Sequence, residues 1–198
     1  MIKKLCIAAA VAALAPVAMA QSAGDLVVRA RAVHLEAANN DSIAITDVTI
    51  NNKWIPEVDF TYFVTPNFAA ELILTVPQKQ KVYSSAHGGQ IGTLKHLPPT
   101  LTAQYHFTGF GPVKPYLGAG VNYTRFSSVN LPAGFSIEKN SFGLALQAGV
   151  DFALTKTVSF NIDVKKVQIR TDLSAGGTNL GTIKVDPTLI GMGFGYKF

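Results

Sequence analysis

Four histidines and a pair of neighbouring serines are the residues of this chain that could support acid–base or nucleophilic chemistry. Ser84 and Ser85 lie close to His87 in the sequence. A hydrolytic serine, however, needs a histidine within hydrogen-bond reach that a third group orients. The chain contains no Gly-x-Ser-x-Gly motif, which would present such a serine on a sharp turn. The sequence therefore predicts that the protein is not an enzyme.

The histidines give no indication of a metal site either. His34, His87 and His96 lack the paired spacing with which two ligands reach one metal ion. We predict that these three lie in surface loops. His106 falls on the polar face of an alternating segment, where we expect a hydrogen bond to a carboxylate. We expect no metal and no other cofactor.

Charged residues at alternate positions of otherwise apolar segments form a second group. They are Arg29, Arg31, Glu57, Asp59, Glu71, Asp151, Asp163 and Lys165. A charge that faces a protein interior must be paired to be tolerated, so we predict a network of ion pairs and not a set of general acids. Glycines alternate on the same faces, and we predict that they make room for the Arg and Glu side chains opposite.

The elements that must position these residues are eight segments in which large apolar residues alternate with polar or small ones. They are residues 26–33, 57–64, 70–76, 101–107, 117–124, 142–152, 158–165 and 190–198. A period of two places successive side chains on opposite faces of a β-strand. Eight such strands fit either a soluble sandwich or an up-and-down barrel.

The residues on the two faces favour a barrel that spans a membrane. The polar face carries charges of both signs, whereas aromatic residues lie at the strand ends of the apolar face, as in outer-membrane barrels. The aromatic candidates for one interface are Tyr62, Tyr105, Phe107, Phe152, Phe194, Tyr196 and Phe198. Short connections alternate with longer ones, at 37–53, 77–97, 127–140 and 172–182. We predict an all-β fold: an eight-stranded antiparallel up-and-down transmembrane β-barrel over residues 21–198.

The first twenty residues predict export. Lys3 and Lys4 precede an apolar run, and Ala18-Met19-Ala20 supplies a small-x-small cleavage site, so we expect residues 1–20 to be a cleaved signal peptide. A single spanning helix is the competing interpretation, but the run before Pro16 is short for ~20 residues of bilayer core. The segment carries two of the 17 basic residues, which leaves 15 against 12 acids. That balance is too even to predict a nucleic-acid partner.

Several motifs closely resemble those of the OmpW/AlkL family of small outer-membrane proteins. They are HLPPTL at 96–101, KPYLGAGVNY at 114–123, GVD at 149–151, and VDP at 185–187 before the terminal YKF. The resemblance implies a protein of the outer membrane of a Gram-negative bacterium, with both termini in the periplasm. It also implies a narrow apolar channel for small hydrophobic solutes, closed toward the periplasm, that releases its cargo sideways through the wall.

The residues themselves support part of that implication. An eight-stranded barrel holds side chains or one small ligand, so a wide aqueous pore is excluded. Polar inward positions become apolar toward the outer ends of two strands, and we predict a hydrophobic channel entry there. Its residues are Val33, Leu35, Trp54, Ile55, Val167 and Ile169. Packing of the barrel top is the alternative role for these residues. On the outer face, Lys166, Gln168 and Arg170 are expected to contact outer-membrane lipids and lipopolysaccharide.

A second function class stays open. A structural or surface-recognition barrel could bind lipopolysaccharide, a host surface, a phage or a bacteriocin through its long external loops without transporting anything. Single-channel recording and uptake by cells that lack the protein would separate the two.

The final strand generates a prediction about assembly. Phe194, Tyr196 and Phe198 resemble the C-terminal signal that the barrel-assembly machinery recognises, in which an edge strand is offered for pairing. Replacing Phe198 with aspartate should lower the amount of protein in the outer membrane more than it lowers conduction by each assembled barrel. Immunoblots of outer-membrane fractions measure this, with Phe198→Tyr as the aromatic control. Normal levels of the aspartate variant would contradict the assembly role.

Overall fold

The computed structural model describes residues 21–41, 48–84 and 88–198, and these residues form fifteen β-strands. The strands are β1 (Leu26–Glu36), β2 (Asn40–Asp41), β3 (Val48–Ile50), β4 (Lys53–Phe63), β5 (Phe68–Thr75), β6 (Gln78–Ser84), β7 (Gly89–Leu97), β8 (Thr100–His106), β9 (Val113–Asn130), β10 (Phe135–Ile137), β11 (Asn140–Ala153), β12 (Val158–Val167), β13 (Arg170–Ala175), β14 (Thr178–Lys184) and β15 (Thr188–Lys197). The described residues include no helix that is long and apolar enough to cross a membrane.

Eight of these strands close into an antiparallel barrel, which confirms the predicted fold class. The order around the barrel is β1, β4, β5, β8, β9, β11, β12 and β15, and β15 pairs again with β1. Val27 near the start of β1 pairs with Lys197 at the end of β15, so the start of the first strand and the end of the last one lie at the same end of the barrel. We call this the terminal end and the opposite end the distal end. Each of these eight strands therefore pairs with a neighbour on both sides, as a bilayer requires.

The strands alternate buried and exposed residues as their sequence period predicts. In β4, for example, Glu57, Asp59 and Thr61 are buried, whereas Val58 and Phe60 between them are exposed. The exposed positions form an apolar belt around the barrel. Most of the predicted aromatic residues lie in it near the terminal end, where Tyr62 and Phe194 are at least half exposed and Tyr105 packs on Phe107. This is the inverted arrangement of a barrel surrounded by lipid.

Short turns join the strands at the terminal end. In the first turn the Thr65 hydroxyl accepts hydrogen bonds from the backbone N–H groups of Asn67 and Phe68. The turn that follows β11 repeats this device, since the Thr155 hydroxyl accepts from the N–H groups of Thr157 and Val158. Hydroxyl-capped turns of this kind fix the register of each hairpin locally.

The distal end differs from the sequence expectation. Segments 77–97 and 172–182, expected to be loops, contain the β6–β7 hairpin and most of the β13–β14 hairpin, and β10, β13, β14 and β2 form a second, four-stranded sheet. The alternation failed to reveal β6 because both of its faces are polar at the start. Gln78 and Gln80 point inward there, and Lys79 and Lys81 point outward. The barrel therefore continues beyond the apolar belt as an ordered extension.

Glycines on the inner face make room for large side chains, as predicted. A Cβ atom at Gly149 would overlap the phenol of Tyr116, and one at Gly191 would overlap the carboxylate of Asp163. Gly195 leaves space for Ser159 and for the stem of Arg29. The lumen of an eight-stranded barrel is narrow, so each bulky residue needs a small one opposite.

Substituting Gly149 should measure this constraint. Gly149→Ala should lower the free energy of unfolding by about 1–3 kcal/mol, because the added methyl group overpacks against Tyr116. Urea titration in lipid vesicles, followed by the single tryptophan, gives the difference. Gly118→Ala is the matched control, since its Cβ would lie 3.0 Å from the movable Gln147 side chain. The double variant Gly149→Ala/Tyr116→Leu should lose less free energy of unfolding than the two single variants lose together. An additive loss would show that Gly149 does not make room for Tyr116.

Candidate functional site

The predicted charged residues meet in the middle of the barrel. All eight are at most 3% exposed. Arg29 lies on β1 and donates two hydrogen bonds to Asp151, at 3.1 and 2.8 Å, and a third to Asp59 at 3.0 Å. This forked contact joins β1 to β11 across the lumen, and paired guanidinium–carboxylate hydrogen bonds are among the strongest in proteins.

Arg31 is the centre of the network. Its nitrogens lie 2.7 Å from Asp59, 3.0 Å from Glu57, 3.1 Å from Glu71 and 3.0 Å from Asp163. These carboxylates come from three different strands, β4, β5 and β12. One side chain therefore contacts acids on both sides of the lumen.

Lys165 completes the cluster, since its ammonium group lies 2.7 Å from Glu57 and 2.8 Å from Asp163. Five carboxylates thus surround three cations. We call these eight residues the charged floor. Their ion pairs cross the middle of the lumen and connect its opposite walls.

Neutral polar residues that we did not predict extend the floor. Gln147 donates to Asp163 at 2.9 Å, Gln104 donates to Gln147 at 3.0 Å, and Thr102 donates to Glu71 at 3.0 Å. The alternation could have predicted them, because each occupies an inward position of an alternating segment. The Thr102 hydroxyl reaches the Glu71 oxygen that the cations leave free, and Gln147 adds a hydrogen bond to the Asp163 oxygen that Arg31 and Lys165 also contact. The other Asp163 oxygen is buried without a hydrogen-bond partner among the described residues.

Between the floor and the terminal end, aromatic residues close the lumen. His106 is fully buried, stacks on Tyr116 with ring centroids 4.8 Å apart, and contacts Phe63 edge-on. Its ring nitrogens face amides and not the predicted carboxylate: Gln21 lies 3.3 Å from Nδ1, and Gln104 lies 2.9 Å from Nε2. The prediction was wrong because the nearby carboxylate, Asp151, already binds Arg29.

On the distal side of the floor the lumen becomes apolar and contains three successive cavities. The proximal cavity adjoins Glu57 and Lys165 and is lined by Leu35, Ile55, Ile73, Val167, Ile169 and Leu189, among others. The middle cavity shares Leu35 and Ile169 with it. The distal cavity shares Ile50, Leu94, Phe126 and Val185 with the middle one. The shared lining residues place the three cavities one after another above the floor, and we call them together the column.

The distal cavity is the largest of the three. The space between its lining atoms, part of it open to solvent, is about 680 Å³. Thr171 is its single polar lining residue among the described part of the chain, and the others include Val82, Leu131, Phe135 and Leu173. A wall of this composition offers a solute almost no hydrogen-bond partner, so it suits apolar molecules.

Of the predicted entry residues, Leu35, Ile55, Val167 and Ile169 line this column, whereas Val33 packs in the buried apolar cluster beside it and Trp54 lies outside the lumen. Val33, Leu35, Ile55, Val167 and Ile169 are all at most 3% exposed. Trp54 is 58% exposed on the outer face of β4, where its ring lies 5.1 Å from that of His34. Neighbouring strand residues point to opposite faces, so Trp54 and Ile55 cannot both enter the lumen.

His96 also lies outside its expected place. It is buried, not in a surface loop, and it borders both the middle and the proximal cavity. It belongs to β7, beyond the apolar belt, where its neighbour Lys95 points outward. Burial, with a smaller effect from the positive charge of Lys53, lowers the pKa of His96 to about 4. The imidazole is therefore neutral at physiological pH, which keeps this part of the column uncharged.

One part of the wall has an interrupted ladder of strand pairs. Pairing of β4 with β5 ends where Glu57 faces Thr75, and the next pair along this line is Ile50 with Val82, between β3 and β6. Side chains bridge part of the interval: Lys53 Nζ donates to the Lys79 carbonyl at 3.3 Å, and the Lys81 N–H donates to Asn51 Oδ1 at 2.8 Å. We call residues 51–56 and 76–81 the seam.

The seam has a physical origin in the sequence. Pro56 and Pro77 carry no backbone N–H and cannot donate to a ladder. The Thr75 hydroxyl and both amide atoms of Gln80 are buried without a hydrogen-bond partner among the described residues. Unsatisfied polar atoms are rare inside proteins and mark places where water, a ligand or a movement supplies the missing partner. The seam borders the proximal cavity through Ile55, and Thr75, which directly precedes the seam, also lines that cavity.

The catalytic candidates that the structure describes lie on separate strands. His34 lies 3.4 Å from Glu36 on the outer part of β1. Ser84 ends β6, and both Ser85 and His87 lie outside the described residues. Within 21–41, 48–84 and 88–198, no group of three or more potential ligands could hold a metal ion.

The outward cations expected to contact lipopolysaccharide are already held by the protein. Arg170 pairs with Asp186 at 2.9 Å, and this carboxylate raises the pKa of the guanidinium. Lys166 donates to the Asp186 carbonyl at 2.6 Å and to the Thr188 hydroxyl at 3.3 Å. Gln168 is half-buried.

The aromatic residues of the predicted assembly signal lie on the outer face. Phe194, Tyr196 and Phe198 are 59%, 49% and 72% exposed, and Phe198 contacts Tyr196 edge-on. The backbone N–H of Phe198 donates to the Leu26 carbonyl at 2.9 Å, which closes the barrel at its last residue.

Comparison with known proteins gives consistent matches along the chain. A model of the OmpW family matches residues 22–198. An uncharacterized outer-membrane protein of Sinorhizobium fredii, y4mB, is 43% identical over 159 residues, which are 77% of this chain and 69% of that protein. Outer membrane protein W of Escherichia coli is 32% identical over 212 aligned positions, covering 99% of this chain and 100% of that protein.

Another relative and a solved structure extend these matches. The dibenzothiophene metabolism operon protein PahQ of Pseudomonas aeruginosa is 30% identical over 149 residues, 71% of this chain and 69% of that protein. The crystal structure of the outer membrane protein OprG from Pseudomonas aeruginosa superposes with a TM-score of 0.78 at 29% identity, covering 91% of this chain and 99% of that one.

The charged floor generates a stability prediction. Arg31→Met should lower the free energy of unfolding by about 3–5 kcal/mol, because it leaves several buried carboxylates without their cation. Arg170→Met is the matched control: its ion pair is exposed, so the loss should be much smaller than that of Arg31→Met. Urea titrations in vesicles compare the two variants. Equal losses would show that the floor does not depend on Arg31.

Proposed function

Because this chain belongs to the OmpW family and lies in the outer membrane, we propose that it is a passive channel for small hydrophobic molecules. The observation that supports this proposal best is the column of apolar cavities above a closed charged floor. The floor alone does not support a channel, since a structural barrel could also have a filled lumen. Together the column and the floor describe a compartment that is open to apolar solutes from the distal side and closed to straight passage.

The distal cavity is suited to taking up the solute. Burial of apolar surface releases roughly 25 cal/mol per Å², and nearly every group in this wall is apolar. A small hydrocarbon or aromatic compound would be stabilised there without any specific polar contact. Uptake of this kind is selective for hydrophobicity and size and needs no cofactor or energy source.

The floor then decides the route of exit. Passing straight through would require breaking ion pairs that Arg31 makes at 2.7–3.1 Å with four carboxylates. The cost is large, because each separated charge would stay buried. The seam offers a path of lower cost, since its strands share few hydrogen bonds. We propose that the solute leaves the proximal cavity sideways, past Ile55 and Thr75, into the outer leaflet.

The relatives agree with an apolar cargo. PahQ is named for an operon of dibenzothiophene metabolism. Dibenzothiophene is an apolar, aromatic compound, and the wall of the distal cavity is apolar in the same way. Selection by apolar contact accepts many compounds of similar size, so a model aromatic solute can test the channel.

Surface recognition is the second candidate. The four-stranded sheet of β10, β13, β14 and β2 extends the protein beyond the apolar belt, and several residues at its tip, including Asn179 and Leu180, are exposed. An ordered projection of this size could bind a host surface, a phage or a bacteriocin. Such binding would not require the apolar column beneath it.

Uptake by intact cells tests the channel. Cells that lack the protein should take up an apolar aromatic solute several-fold more slowly than cells supplied with the wild type. Ile169→Phe, which narrows both lower cavities, should reduce uptake about as much as deletion does. Trp54→Phe is the matched control on the outer face and should restore normal uptake.

Protein levels and folding, measured by the heat-dependent shift on gels, must be equal for both variants. Unchanged uptake in the deletion strain would contradict the channel. If only phage or bacteriocin sensitivity changed on deletion, the recognition role would be supported instead.

A further inference from the structure

Four cations on the outer face of β6, β7 and β9 form a patch that the channel does not explain. They are Lys79, Lys81, Lys95 and Arg125, all of them exposed. Lys79 and Lys95 are direct cross-strand partners, and Lys81 lies two residues further along the same face. Arg125 pairs with Leu97, two residues from Lys95, on the next strand. We call these four residues the basic patch.

The basic patch is energetically unusual within this structure. Like charges directly opposite each other in a sheet destabilise it. Several other outward cations are held by acids or carbonyls: Arg170 and Lys166 contact Asp186, and Lys197 pairs with Asp25. None of the four patch cations forms an ion pair with a carboxylate in the described part of the chain. A site that places unpaired like charges together is arranged for an external anion.

The height of the basic patch indicates which anion this is. Lys79 follows three residues after the lipid-facing Val76, about 10 Å along the chain. On β9 the exposed Tyr123 precedes Arg125 by two residues, and on β4 the exposed Trp54 lies at the corresponding level. Exposed Tyr and Trp side chains mark the interface between the hydrocarbon and the head groups. The patch therefore begins where the head groups of the outer leaflet begin.

We propose that the basic patch binds the phosphate groups of lipopolysaccharide in the outer leaflet. An ammonium group acts on a phosphate as a point charge, and the guanidinium of Arg125 can hold two of its oxygens at once. Phosphate binding between Lys79 and Lys95 removes their mutual repulsion. This site replaces Lys166 and Arg170 as the main lipopolysaccharide contact, because those two cations are already occupied by Asp186.

The site also has a structural consequence for the wall. Lys79 belongs to the seam, and its carbonyl accepts the hydrogen bond from Lys53. A lipid bound at Lys79 would hold the β6–β7 hairpin at the edge of the seam. The proposal does not depend on transport, because the head-group contact would exist in a barrel that transports nothing.

A binding titration tests the proposal with the purified full-length barrel in phospholipid nanodiscs free of lipopolysaccharide. Lipopolysaccharide is added, and binding is followed by the fluorescence of Trp54, the single tryptophan of the chain. The double variant Lys79→Gln/Lys95→Gln should bind at least about tenfold more weakly than the wild type, given a contribution of about 1 kcal/mol per cation. Phosphatase-treated lipopolysaccharide should show the same loss with the wild-type protein.

The matched control is Lys166→Gln/Arg170→Gln, which removes the same charge at a similar height and should keep wild-type affinity. Without lipopolysaccharide, the patch variant should unfold at a slightly higher urea concentration than the wild type, because the repulsion is gone. This excludes misfolding as the cause of weaker binding. Wild-type affinity in the patch variant, an equal loss in the control, or full binding of the dephosphorylated lipid would overturn the proposal.

Discussion

Arg31 sets the conditions for the rest of the barrel, because its guanidinium group contacts acids from three other strands at the same height. A barrel of eight strands leaves a lumen that side chains can fill, and a charge placed there has no access to bulk water. Each cation in the floor must therefore find acids across the lumen, and each acid must find a cation, an amide or a hydroxyl. The network thus ties opposite walls together, in a protein with no cysteine in its barrel domain.

The large side chains in the middle of the lumen determine where cavities can form. Large side chains such as Arg29 and Tyr116 need glycines opposite, and Gly149, Gly191 and Gly195 supply that space near the floor. Beyond Val33 and Val167 most inward residues are apolar, with Gln80 and His96 as polar exceptions, and the three cavities lie on this distal side of the floor. The lumen is filled at the floor and hollow beyond it because the inward charged residues of the different strands lie at the same height.

The sequence allowed the barrel and its floor to be predicted, because a strict period of two assigns every residue to a face. The eight charged residues were identifiable for that reason, and so was the lipid-facing belt. Trp54 was misplaced by treating adjacent residues as if they shared a face. His106 was given the wrong partner because a one-dimensional pattern cannot show that Asp151 is already bound to Arg29.

Other features depend on pairing between distant segments. The β6–β7 hairpin has polar residues on both faces near Gln78 and Lys79, so periodicity gives no signal there. The seam arises from the relative positions of Pro56 and Pro77 across two strands, and the opposition of Lys79 and Lys95 arises from the hairpin register. The register between strands is set when distant segments pair, so it cannot be deduced from the alternation of residues within one segment.

The interrupted ladder between Glu57 and Ile50 also has a mechanical meaning. Around most of its circumference the barrel is a stiff tube, since widening it anywhere would stretch many hydrogen bonds at once. At the seam the two strands are joined by the side chains of Lys53 and Asn51, which can rotate and lengthen their reach. The cross-section can therefore distort in one direction at low cost while the remaining wall keeps its shape. A widening of the lumen should therefore be easier along this line than where the strands are joined by a continuous ladder of backbone hydrogen bonds.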